Sequence, residues 1–245
     1  TGGRFHSLAL DHNGTIVAWG RNDEGQLGVP QPNSDFIDIA GGQFFTLGLK
    51  SDGSIVGWGS NVSGQLNVPS PNSDFVAIAA GANHGLGLQA DGTIVCWGSN
   101  SAGQLNVPSP NADFIAVEAG WNFTLGMKAD GSVVAWGLNN FGQTDVPAPN
   151  DSFLLLSGGG EHFGLALRAV PGACCLPNGL CLETRESACG WLDGAWQGAN
   201  TTCASSQCDP GDSGSIVAWG RNEIGQRNVP PPNRGFGAIG GGGED

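Results

Sequence analysis

The sequence predicts an all-β protein, a β-propeller of five three-stranded blades, and three observations predict it. The motif WGxNxxGQ recurs five times, with its tryptophan at positions 19, 58, 97, 136 and 219. The first three intervals between these tryptophans are 39 residues each, slightly below the blade period of known propellers. Each period also holds three short apolar runs separated by turn residues, as expected for small antiparallel sheets.

Each repeat contains three predicted strands, which we call A, B and C. In the second repeat they are Phe36 to Ala40, Phe45 to Leu49 and Ser54 to Trp58. β-Branched and aromatic residues dominate them, as in strands buried on both faces. Asp52-Gly53 and its counterparts predict a two-residue hairpin turn between B and C. A parallel solenoid is the alternative arrangement, and hairpins favour antiparallel blades over it.

The phase of the repeats predicts how the ring closes. The chain starts with strands B and C and stops after an isolated strand A at Phe236 to Ile239. Pairing of this C-terminal strand with the first blade completes five blades and removes exposed sheet edges. The alternative is that the chain is part of a longer ring. We assign 1–169 and 213–245 to the propeller, and 170–212 to a cysteine-rich insertion in the fifth blade.

Residues repeated in every copy are expected to serve the scaffold. Trp19, Asn22, Gly25 and Gln26 belong to this class, together with their counterparts. We expect the tryptophans to fill the space between blades. We expect Asn22 and Gln26 to hydrogen-bond to the backbone at turns.

Positions that differ between copies are the candidates for recognition. They lie in the A–B loop and in the loop after strand C, which share one face if the strands alternate in direction. Aromatic residues and arginines are typical of interface hot spots, although drift on tolerant loops is the alternative for any single position. The predicted partner-binding residues are Arg4, Phe5, Arg21, Phe44, Trp121, Asn122, Asn140, Phe141 and Arg221.

Composition and charge narrow the choice of partner. The formal net charge is −13, which disfavours nucleic acid and anionic membrane surfaces. No apolar run approaches a membrane span. The histidines show no metal-ligand spacing, and Ser213, within a GDSGS string, falls in a hairpin register. We therefore predict no metal, no cofactor, no catalytic residues and no enzyme.

The predicted insertion concentrates six of the seven cysteines, which indicates disulfides and a secreted or cell-surface location. Six cysteines permit about 15 connectivities, and the sequence chooses none. The insertion is either a second contact surface or a tolerated hairpin-tip insertion. Cys96 takes a small-residue slot within a strand and is expected to be a buried free thiol. The predicted disulfide cysteines are Cys174, Cys175, Cys181, Cys189, Cys203 and Cys208.

The string WGxNxxGQ, followed by VP and IAxGxxHxLxL, resembles the regulator-of-chromosome-condensation repeat family. The short period is most similar to the bacterial branch of that family, which includes the propeller-type β-lactamase inhibitory protein. The insertion resembles a small cysteine-rich motif of exported bacterial proteins. The resemblance implies a propeller that binds proteins, and we expect an exported module with a protein partner. A carbohydrate-binding or adhesive surface protein is the alternative.

Overall fold

The computed structural model describes residues 1–158 and 160–168, together with the strands at 172–175, 181–184, 195–199 and 215–220. Within this part of the chain the secondary structure consists of β-strands. They are β1 (His6–Leu10), β2 (Ile16–Gly20), β3 (Phe36–Gly41), β4 (Phe45–Lys50), β5 (Ile55–Gly59), β6 (Phe75–Ala80), β7 (His84–Gln89), β8 (Ile94–Gly98), β9 (Phe114–Ala119), β10 (Phe123–Lys128), β11 (Val133–Gly137), β12 (Phe153–Ser157), β13 (Phe163–Arg168), β14 (Gly172–Cys175), β15 (Cys181–Thr184), β16 (Ala195–Ala199) and β17 (Ser215–Gly220).

Each complete repeat forms one three-stranded antiparallel sheet, as the sequence predicts. The sheets are β3-β4-β5, β6-β7-β8, β9-β10-β11 and β12-β13-β17. We call them blades two to five, and β1-β2 belongs to blade one. Strand A is the inner strand and lines a central cavity, strand B is in the middle and strand C lies outside. Among the described residues, no helix has the length and apolar character needed to cross a membrane.

Blade one consists of the hairpin β1-β2 and a short N-terminal segment. Gly2 forms a β-bridge with Ser7, and the N–H of Leu8 donates to the carbonyl of Thr1 at 3.0 Å. By register, Thr1 and Gly2 correspond to Ala40 and Gly41, the last part of a strand A. The C-terminal strand predicted to supply the first part, 236–239, lies outside the described residues.

The hydrophobic core lies between adjacent blades. In one cluster, Phe45, Leu47 and Leu49 of β4 pack with Phe75 and Trp97 of the next blade. The tryptophans of blades two, three and four donate their indole N–H to a backbone carbonyl of the preceding blade, at Gln26, Gln65 and Gln104, over 2.8–3.0 Å. The predicted role of the tryptophans between blades is therefore confirmed for these three.

The predicted backbone contacts of Asn22 and Gln26 are also confirmed. The Asn22 side chain accepts the N–H of Leu27, and that of Gln26 accepts the N–H of Glu24. The sequence analysis missed a third such amide, Asn33. Its side chain accepts the N–H of Ile16 and donates to the carbonyl of the same residue, which ties strand C of blade one to the chain entering blade two.

The buried histidines link neighbouring blades. The Nε2 atom of His6 lies 2.8 Å from the Oγ1 atom of Thr46, and that of His84 lies 3.3 Å from Thr124 Oγ1. Where phenylalanine takes the histidine slot, as at Phe45, the next blade has glycine instead of threonine. The expected packing role therefore includes a polar contact that blades one and three make with the next blade and that the phenylalanines of blades two and four replace.

The prediction of a two-residue hairpin between strands B and C was wrong. In blade two the turn runs from Lys50 to Ser54, with the Gly53 N–H donating to the Lys50 carbonyl and the Lys50 N–H donating to the Ser54 carbonyl. Gly53 has a φ of +80°, whereas Asp52 is not in the left-handed region. This is the three-residue hairpin that ends in a glycine bulge. The Asp52 carboxylate accepts the N–H of Ser54 and so favours this turn.

Strands β14, β15 and β16 form a separate antiparallel sheet, in the order β15-β14-β16. They fall between β13 and β17, which pair from Phe163 with Gly220 to Arg168 with Ser215. The side chains of the six cysteines in this region lie outside the described residues, so their disulfides stay a prediction. Cys96 is a free thiol but is only half-buried, because it lies on an outer strand; burial nevertheless raises its pKa to about 12.

Candidate docking face at the mouth of the cavity

A belt of backbone hydrogen bonds connects the A–B loops of successive blades. The Arg4 N–H donates to the Gly42 carbonyl, and the Gln43 N–H donates to Ala82. The Ala82 N–H donates to Trp121, and the Trp121 N–H donates to Gly160. Equivalent loop positions are thereby held around one opening. The five residues of this register, which we call the inner ring, all line the cavity: Arg4, Gln43, Ala82, Trp121 and Glu161.

Arg4 contacts two other members of the inner ring across the opening. The guanidinium carbon of Arg4 lies 4.1 Å from the centroid of the Trp121 ring. The Nη1 atom of Arg4 lies 3.4 Å from Glu161 Oε1. An aromatic face and a carboxylate around one guanidinium are each favourable for a cation. Blade one is thus joined to the loops of blades four and five.

A second cluster lies beside the inner ring. Phe5 and Phe44, which are neighbours by register, stack with ring centroids 5.2 Å apart. The guanidinium of Arg21, from the loop after strand C, lies 5.3 Å from both ring centroids. Arg4 lies 5.1 Å from the Phe5 ring and joins this cluster to Trp121. The structure therefore brings five of the predicted residues into one continuous surface, and both loop sets share that face.

The remaining predicted residues are placed differently. Phe141 packs on His162, with ring centroids 4.8 Å apart, and His162 Nε2 lies 3.6 Å from Glu161 Oε2. Asn140 is exposed. Asn122 is half-buried, and its side chain is 3.5 Å from Gln104 Nε2, so it contributes to the scaffold. Arg221 lies outside the described residues.

The cavity behind the inner ring has a volume of about 680 Å³ and contains two further carboxyl groups, Asp38 and Glu118. Asp38 accepts the N–H of Ile39 at 2.8 Å. Burial, with a smaller effect from the charge of Asp38, raises the pKa of Glu118 to about 7, although a hydrogen bond from the Gly158 N–H lowers it. Burial also raises the pKa of Asp38. The side chains that line the cavity are therefore predominantly acidic.

Sequence reasoning missed Glu161, His162, Asp38 and Glu118 as members of this site. Glu161 and His162 lie in a variable A–B loop but were not among the predicted partner-binding residues, and Asp38 and Glu118 lie within strand A, where no residue was singled out. The repeat alignment could have identified Glu161. It places Arg4, Trp121 and Glu161 at equivalent loop positions, and successive propeller blades bring equivalent positions to the same opening. Among the described residues, no group of three or more histidine, cysteine, aspartate or glutamate side chains is arranged to hold a metal ion.

These features define a class of protein: a repeat protein with propeller-type blades whose A–B loops are linked to one another at one end. Four segments of the chain match the family model described as the regulator of chromosome condensation (RCC1) repeat: 1–26, 36–65, 75–104 and 114–143. The protein pim1 of Schizosaccharomyces pombe is 57% identical over 30 residues, which is 12% of this chain and 6% of pim1.

Solved structures show the same fold. Prp20p from Saccharomyces cerevisiae, whose structure is described with its binding to Gsp1p and histones, aligns with a TM-score of 0.59 at 18% identity, covering 98% of this chain and 79% of Prp20p. The CRINKLY WD40 ectodomain of the Arabidopsis thaliana receptor kinase ACR4 aligns at 26% identity with a TM-score of 0.53. That match covers 67% of this chain, which spans 58% of the ectodomain chain.

Proposed function

We propose that this chain is an exported protein-binding propeller, and that the face formed by Arg4, Phe5, Arg21, Phe44 and Trp121 docks its partner. The observation that carries the proposal is the continuity of that surface, in which two arginines and three aromatic rings lie in mutual contact. Such residues dominate the binding energy of protein interfaces.

Similar proteins support a scaffold role of this kind. Prp20p is described with its binding to Gsp1p and histones, and a further structure shows Kap60 bound to yeast RCC1 (Prp20). Their partners are not transferred to this chain, because identity at this level supports the fold alone. The export part of the proposal rests on the six cysteines between 174 and 208.

Closure of the ring by the C-terminal strand is part of the same proposal. The ion pair between Arg4 of blade one and Glu161 of blade five supports it, because it brings the loops of the first and fifth blades together at one opening. A longer parent ring is the competing arrangement.

A photo-crosslinking amino acid at position 44, compared with one at position 52, tests the docking face. Phe44 lies on the loop face, whereas Asp52 lies in an exposed B–C hairpin at the opposite ends of the strands. We expect a defined protein adduct from position 44 in the producing cells or their medium, and none from position 52. Equal labelling from both positions would contradict the proposal.

The carbohydrate alternative finds less support in the geometry. Sugar-binding propellers are expected to repeat one pocket in each blade, but the inner ring carries five different residues. The Phe5 and Phe44 rings also stack on each other rather than presenting two free faces. Binding on a glycan array that is abolished by Phe44→Ala would reverse this preference.

A further inference from the structure

Arg4 occupies a clamp built from two other blades. Its guanidinium stacks on Trp121 at 4.1 Å and pairs with Glu161 at 3.4 Å. The Glu161 side chain is only 15% exposed, whereas that of Arg4 is 36% exposed. A carboxylate that is largely withdrawn from water needs a cation more than an exposed one does, because it has lost part of its hydration.

The clamp is specific for the shape and charge of a guanidinium. A planar cation can lie flat on an indole face while its edge N–H groups donate to a carboxylate. Arg4 lies over the Trp121 ring at 4.1 Å and forms an ion pair with Glu161 at 3.4 Å. Nothing in the belt depends on the Arg4 side chain, because Arg4 joins it through its backbone N–H. The side chain can therefore leave without breaking the hydrogen bond from the Arg4 N–H to the Gly42 carbonyl.

The electrostatics behind the clamp favour an incoming cation. Of the ionisable side chains that line the described cavity, Asp38, Glu118 and Glu161 are acidic and Arg4 is basic. The charges of Asp38 and Glu118 are therefore not balanced by a cationic side chain within that lining. A cation placed at the mouth is attracted by Asp38 and by the ionised fraction of Glu118, whose pKa is about 7, since field lines are focused in a cavity with low-dielectric walls.

We propose that Trp121 and Glu161 form an arginine-binding clamp, occupied by Arg4 in the free protein and taken over by an arginine side chain of the docked protein partner. Arg4 then acts as an internal competitor that sets the affinity for the partner. The inference rests on the proposed docking function, because the partner must be a protein that presents an arginine at the loop face.

The test uses Nα-acetyl-argininamide as the probe and the full chain carrying 5-fluorotryptophan, with the Trp121 ¹⁹F signal assigned by Trp121→Phe. In Arg4→Ala the clamp is empty, and we expect a saturable shift of the Trp121 signal with a Kd on the order of millimolar, typical of one small contact. In the wild type the apparent Kd should rise roughly tenfold or more, because Arg4 must first be displaced.

Matched controls separate a clamp from general electrostatics. Nα-acetyl-citrullinamide has the same shape without the charge, and it should leave the signal unchanged. Adding Glu161→Gln to Arg4→Ala should weaken argininamide binding roughly fivefold or more. Arg4→Gln provides a second empty clamp with a polar side chain if the alanine variant folds poorly.

A saturable shift that requires the charge of the argininamide would support the clamp, and two other results would contradict it. Absence of a saturable shift in folded Arg4→Ala or Arg4→Gln would overturn the proposal and leave Arg4 as a staple between blades one and five. Equal response to citrullinamide would do the same. Because the assay contains no protein partner, its failure would leave the crosslinking test of the docking face unaffected.

Discussion

Blade one and the three blades that follow it share a sequence pattern but not the same burial. Trp58, Trp97 and Trp136 are 5%, 4% and 6% exposed, whereas Trp19 is 53% exposed. The buried tryptophans each donate to a carbonyl of the blade before them. A blade therefore covers the tryptophan of its successor, and the partner of Trp19 by register is Gln226, which lies outside the described residues.

The interface of blade one with blade two resembles the interfaces between the later blades, so the difference in burial is confined to the other side of blade one. Leu8, Ile16 and Phe36 pack with Trp58 in a core cluster between blades one and two. His6 also contacts Thr46, as His84 contacts Thr124. Each blade is therefore stabilised mainly by its interfaces with the two adjacent blades, as in other repeat proteins whose units contact their neighbours.

The largest change in the free energy of unfolding is expected when a repeat tryptophan is replaced by alanine, and Trp19 can be compared with the buried Trp97. Trp97→Ala should lower the free energy of unfolding by roughly 3–5 kcal/mol, the usual cost of removing a buried aromatic side chain. If the ring closes as proposed, Trp19→Ala should cost a similar amount, because blade five covers it. Urea denaturation of both variants measures this. A cost below about 1 kcal/mol for Trp19→Ala would mean that blade one stays uncovered and that closure is wrong.

A smaller effect is expected at Glu118, whose environment depends on an enclosed cavity. Its pKa is raised to about 7, so the fold favours the protonated form and loses stability as the pH rises from about 4.5 through 7. Glu118→Gln should therefore be more stable than the wild type at pH 8, by on the order of 2 kcal/mol, and should resemble it near pH 4.5.

Thermal or urea unfolding across this pH range measures the difference between the two proteins. The exposed Glu24 provides the control, since Glu24→Gln should leave the pH dependence unchanged. A wild-type stability that is flat between pH 5 and 8 would show that water and counter-charge reach Glu118, as in an open ring.

The smallest effect concerns the histidine–threonine contacts, which should be alike in blade one and blade three. Thr46→Val and Thr124→Val keep the side-chain shape but remove the hydroxyl that meets His6 and His84. Each should cost roughly 1–2 kcal/mol, because a buried imidazole nitrogen then loses its partner.

Equilibrium unfolding of the two valine variants gives the comparison directly. Combining His84→Phe with Thr124→Val should cost less than the two changes added, since the second change no longer orphans a polar atom. A much smaller cost at Thr46 than at Thr124 would mean that the forward interface of blade one is also incomplete.

Much of the fold could be predicted because the repeat supplies its own alignment. The expected strand A at Phe36 to Ala40 and strand B at Phe45 to Leu49 each differ from β3 and β4 by one residue. Their antiparallel order followed from the hairpin signals. The turn type was missed, because Asp-Gly is compatible with two hairpins, and the same three-residue turn forms at Asn13-Gly14.

The site could be predicted only in part. Phe5, Phe44 and Arg21 were identified as variable residues of a shared face, and the structure brings them together. The contact of Arg4 with Glu161 was missed because it crosses the ring, and periodicity describes neighbours along the chain rather than partners across an opening. Glu118 was missed because its raised pKa comes from burial, which the residue type alone does not reveal.

The belt of main-chain hydrogen bonds at the mouth has a consequence for engineering and for divergence. It fixes the path of the A–B loops without using the side chains at 4, 43, 82, 121 and 161. Substitutions at these positions are therefore expected to leave the belt in place, whereas Arg4, Trp121 and Glu161 remain coupled to one another through the contacts of the Arg4 side chain. Relatives of this chain, or libraries made from it, can acquire a new specificity by substitutions at these positions while the path of the loop backbone stays the same.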